Sequence, residues 1–114
     1  MPSINDIGKV STRFSTTEMC YLSVANGLSA STPIVQELKG RVPECKRGDE
    51  VVAMLMTRLV DVQQQGEIGL EQLKCLSAWS QGEGADLVKS VEALLGGLSD
   101  EVKSFETKLK GKEK

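Results

Sequence analysis

The residue types that most often carry chemistry are sparse in this chain. It has no histidine and three cysteines, Cys20, Cys45 and Cys75, at separations of 25 and 30 residues with no C-x-x-C pair. Without histidine there is no Ser-His-Asp or Cys-His nucleophile pair, no H-E-x-x-H metal site and no mixed Cys/His zinc site. Gly82-Glu83-Gly84 lacks the third glycine and the preceding strand of a dinucleotide loop, and neither a phosphate loop nor a calcium loop occurs. Asp61, Glu67 and Glu71 are spaced too loosely for an acid–base carboxylate pair and read as a solvated surface. Arg47-Gly48-Asp49 spells the tripeptide of extracellular integrin ligands, but in this context it reads as a loop followed by a helix cap. An odd number of scattered thiols reads as reduced cysteine. Cys20 and Cys75 fall in apolar helical segments and are expected as small core residues. Cys45 sits in a polar loop beside Lys46 and Arg47, the setting in which a thiol would be reactive. The expectation is a non-enzyme with no catalytic residues, no cofactor and no metal centre.

What the sequence does contain is a packing surface. Val88, Val91, Leu95, Leu98, Val102, Phe105 and Leu109 follow one another at alternating steps of three and four, the spacing of a stripe along one face of a helix. Such a stripe must be covered by the rest of the chain or by another molecule. Val102 and Phe105 lie beyond Gly96-Gly97, where little chain remains to cover them. Leu98, Val102, Phe105 and Leu109 are therefore expected to form a self-association or partner surface.

The whole chain of 114 residues fits one domain, with a core bundle over 3–95 and a helix extension with a basic tail over 96–114. Hydrophobic content of 39% with 26% charge is globular composition, and aromatics at 4% require an aliphatic core. A net charge of −2 offers no general attraction to nucleic acid or anionic lipid, so neither is expected as a partner. Lys108, Lys110, Lys112 and Lys114 read as a solvated tail suited to the negative end of a helix dipole. No run approaches a membrane span and the N-terminus has neither the basic start nor the apolar core of a signal peptide, so a cytoplasmic location is expected.

The elements that would position these residues all read as helices, giving an all-α bundle of five or six short helices with a long amphipathic C-terminal helix. Ser3 with Asp6 opens a possible first helix carrying Ile4, Ile7 and Val10. Ser15-Thr16-Thr17-Glu18 is a capping box, with Phe14 placed to staple onto Met19, and predicts a helix from about Thr16 to Asn26-Gly27. Thr32-Pro33 predicts a short helix stopped by Gly40, and Asp49 caps one that ends at Gly66. Gln63–Ile68 reads as a polar link to a helix over about 70–81, in which Trp79 is expected as a core or hinge anchor. The last helix opens near Ala85. Gly96-Gly97 and Ser99-Asp100-Glu101 read locally as a stop and a new cap, but the stripe keeps its phase across them, so a continuous or gently bent helix is expected.

The segment Val51 to Leu87, read as helix, polar link, Leu-rich helix and then Gly84-Ala85-Asp86-Leu87, resembles the second half of a death-effector domain of the death-fold superfamily, whose final helix opens on R-x-D-L. Phe14-Ser15-Thr16-Thr17-Glu18-Met19 resembles the entry to that family's second helix, and the likeness spans residues 4 to 95. It implies helix-to-helix association of a signalling adaptor, with Glu18 and Asp86 as two members of a surface charge network. Gly84 stands where the family has arginine, and Ser29 to Glu50 is longer than the family's third helix allows. The competing reading is a small microbial or viral helical accessory protein, a chaperone, regulator or assembly subunit, offering its last helix to one partner or to its own copy.

Overall fold

Helix α1, Thr16–Ser29, begins where the sequence signals it. The Ser15 hydroxyl accepts from the Glu18 backbone N–H at 3.1 Å, and the Glu18 carboxylate accepts from the Ser15 N–H at 3.1 Å. Two of the four unpaired N–H groups of the first turn are thereby satisfied. These details come from a computed structural model that describes residues 15–82 and 84–112. The expected first helix over Ile4, Ile7 and Val10, and the staple from Phe14, lie outside the described residues.

α1 runs past the predicted end at Asn26-Gly27 to Ser29 and passes almost directly into α2, Ser31–Arg41. Ala30 at the junction keeps right-handed helical geometry, and its N–H donates to the Gly27 carbonyl at 3.2 Å. Thr32 makes no cap, and Gly40 lies inside the helix rather than ending it. A 3-10 turn over Val42–Glu44 follows. Helix α3, Glu50–Trp79, starts at the predicted cap, with Asp49 Oδ1 accepting from the N–H groups of Val51 and Val52 at 3.0 and 3.1 Å.

The predicted link at Gln63–Ile68 is helical, and α3 is one uninterrupted element of 30 residues, about 45 Å long at 1.5 Å per residue. The described residues therefore form four α-helices and a 3-10 turn instead of five or six short helices; the all-α class stands. Packing accounts for the difference. A Cβ at Gly69 would lie 2.5 Å from Val24 Cγ2, and one at Gly66 would lie 2.5 Å from Leu28 Cδ2 and 2.9 Å from Leu95 Cδ2. The missing side chains let α1 and the last helix approach the α3 backbone. That burial offsets the roughly 1 kcal/mol that each glycine costs a helix interior.

α3 closes on a left-handed Gln81 (φ 58°), with the Gly82 N–H reaching the Ser77 carbonyl at 2.8 Å and the Gln81 N–H reaching Ala78 at 3.2 Å. This six-to-one and five-to-two bonding satisfies the last carbonyls of the helix. Helix α4 then runs unbroken from Ala85 to Lys112 through Gly96 and Gly97, as the phase of its stripe requires. The core is aliphatic except for Phe105, joining Leu28 of α1, Leu38 of α2, Val42 of the 3-10 turn, Leu59 and Leu73 of α3, and Val91 to Phe105 of α4.

Candidate interaction surfaces

The α4 stripe is internal. Leu98, Val102 and Phe105 are 6%, 4% and 2% exposed, so the expected partner surface at these positions is corrected: α2, the 3-10 turn and α3 already cover them. The sequence gives no count of covering chain until α3 is known to be a single long helix beside α4. Leu109, the last residue of the stripe, is half-buried. With Met56 and Val60 of α3 it forms the floor of an open groove of about 640 Å³, edged by Arg58, Asp61, Glu106 and Lys110. Beyond this groove Lys112 donates to the carbonyls of Pro43 and Cys45 at 3.1 and 3.0 Å, so this member of the basic tail ties the end of α4 to the loop before α3.

Glu18 and Asp86 stand in the opening turns of α1 and α4. Those turns meet at one end of the bundle: a Cβ at Gly84 would lie 2.6 Å from Thr17 Cγ2, and the buried Thr17 hydroxyl is 3.5 Å from that of Ser80. Glu18 is engaged in its own cap, and Gly84 has φ of +86°, a backbone conformation that opposes any side chain. The arginine of the resembled pattern therefore has no room here.

Trp79 is 89% exposed, which corrects its expected place as a core or hinge anchor. The helix turns its indole outward because Leu73 and Ser77 take the inward positions of the last two turns. Met19 and Leu22, three residues apart on α1, and Ile68 on α3 are also exposed, and Ile68, Cys75 and Trp79 share one row of α3 at steps of seven and four. Cys75 is exposed rather than core, while Cys20 and Cys45 are half-buried against the core. The outward apolar row was visible as residue types, but without the inward direction of α3 it could not be told from core.

Electrostatics are local. Glu37 and Arg41 pair at 2.8 Å on α2, and the carboxylate's hydrogen bond and charge strengthen the guanidinium's hold on its proton. Lys39 reaches Glu101 across α2 and α4 at 3.6 Å, and Lys74 reaches Glu71 at 3.6 Å. Such exposed pairs are screened by solvent and contribute little to stability. Among the described residues no group of three His, Cys, Asp or Glu side chains is placed to hold a metal ion, and no helix is long and apolar enough to cross a membrane. Comparison with family models, with curated proteins and with solved structures gave no match.

Proposed function

We propose that this chain is a non-catalytic interaction module that offers the outward face of α1 and α3 to a helix of a protein partner. The carrying observation is Trp79, almost fully exposed in a chain whose aromatic content is only 4%. Tryptophan is the side chain most enriched where binding energy concentrates, because it adds a large apolar area at little conformational cost. Met19 and Leu22 on α1 and Ile68 on α3 are further exposed aliphatic side chains of the kind that line helix-binding faces.

Two narrower versions of this reading differ in what they require. A death-effector-like adaptor is supported by the meeting of the α1 and α4 starts, which brings the turns carrying Glu18 and Asp86 to one end of the bundle. A small helical accessory protein is favoured by the single 30-residue α3, which runs through the segment that the adaptor reading takes as a link.

Affinity capture from the cells that express the chain tests the proposal. The wild-type protein, Trp79→Asp and the surface control Lys89→Ala serve as baits, and circular dichroism confirms that each is folded. A partner held by the wild type and by Lys89→Ala but lost from Trp79→Asp is the expected result. Equal capture by all three overturns it.

A further inference from the structure

We infer that the cleft where the end of α4 meets the loop before α3 is a docking site for an acidic segment of a protein partner. This contact goes beyond the Trp79 face and lies at the opposite end of α3 from it. The cleft holds about 220 Å³. Its floor is apolar, from Val52, Ala53 and Leu109, and its rim carries the cations Lys46, Arg47 and Lys112.

Charge names the occupant. The three cations share the cleft with a single acid, Asp49, whose Oδ1 already accepts from the N–H groups of Val51 and Val52. None of the three has an ion-pair partner within 4.0 Å among the described residues. A local excess of positive charge over an apolar floor is complementary to an acidic peptide with apolar residues between its carboxylates. Lys112 donates to the carbonyls of Pro43 and Cys45 at 3.1 and 3.0 Å, neutral groups that fix the ammonium in place and leave its charge uncompensated. The cleft is thereby preformed, and binding need not first order the end of α4. Nucleic acid and anionic bilayers fit less well. Both are extended polyanions, a cleft of this size admits only a few side chains, and the chain's net charge of −2 opposes the approach of either.

Fluorescence anisotropy on the full chain tests the inference, with a labelled peptide of alternating glutamate and leucine as the probe and its glutamine-for-glutamate counterpart as the control. The wild type should bind the acidic peptide saturably and the glutamine peptide about tenfold more weakly, with the difference shrinking at high salt. Lys46→Glu combined with Arg47→Glu should weaken the acidic peptide by about tenfold. Both side chains are exposed, so the fold should stand, and circular dichroism checks it. Lys74→Glu combined with Lys89→Glu makes the same change in net charge at exposed positions elsewhere, and should leave binding within about twofold. Equal weakening by the two double variants, equal binding of the two peptides, or no saturable binding at millimolar peptide overturns the cleft. Displacement of the peptide by an equal concentration of inorganic phosphate overturns the acidic segment as its occupant. None of these outcomes touches the Trp79 face, whose capture experiment stands or falls separately.

Discussion

The two long helices each carry a pair of glycines near the middle, and the pairs do different things. Gly66 and Gly69 of α3 lie under Leu28, Val24 and Leu95, whereas Gly96 and Gly97 of α4 have nothing within 4 Å of where a side chain would begin. In sequence Gly66 of the first pair, and locally Gly96-Gly97, read as places for a helix to stop. In the fold neither does. The α3 pair is a close-approach surface that lets a neighbouring helix in, and the α4 pair is open to solvent, with its helix held by the buried residues on its other face. A glycine's local cost is the same in the two settings, so what differs is whether the absent Cβ allows packing that repays it.

The largest test of this contrast removes the packing that holds α4 across its own glycines. Phe105→Ala should cost about 3–5 kcal/mol in a urea series, as for other large core truncations, and lower the midpoint without altering the all-helical spectrum below it. A loss under about 1 kcal/mol would mean that the stripe is not core, and would return Val102 and Phe105 to the partner surface read from the sequence.

Next in size is Gly84, where the backbone decides the sign. Gly84→Arg restores the residue type of the resembled motif, and on sequence grounds it would add a modest ion pair near Glu18 and Asp86. With φ at +86° and Thr17 Cγ2 in the way, it should instead destabilise by about 1–2 kcal/mol. Gly84→Gln should cost as much, because the strain belongs to the Cβ and not to the charge. Stabilisation by arginine alone would support the adaptor reading.

The direct comparison is the matched pair Gly69→Ala and Gly97→Ala. At Gly69 the new methyl meets Val24, a β-branched side chain with little freedom to move, and the overpacking should exceed the gain in helix propensity, for a net loss of about 1 kcal/mol. At Gly97 the methyl meets nothing, and the variant should gain about 0.4–1 kcal/mol, the smallest effect of the set. Equal shifts in denaturation midpoint would erase the distinction between the two pairs.

What the sequence determined alone is whatever depends on neighbours along the chain. The Ser15–Glu18 box and the Asp49 cap are legible because their donors and acceptors lie within three residues of each other. The continuity of α4 was legible because its stripe kept phase over Gly96-Gly97. Tertiary structure decided everything that depends on which side of a helix is already occupied. Gly66 and Gly69 sit inside a helix with α1 and α4 packed against them, and Leu98, Val102 and Phe105 become core because α2, the 3-10 turn and α3 pack over them. Trp79 faces water because the inward positions of its helix belong to Leu73 and Ser77. Hydrophobicity records that a side chain needs cover, and the non-directional character of that need leaves the choice of cover to the fold.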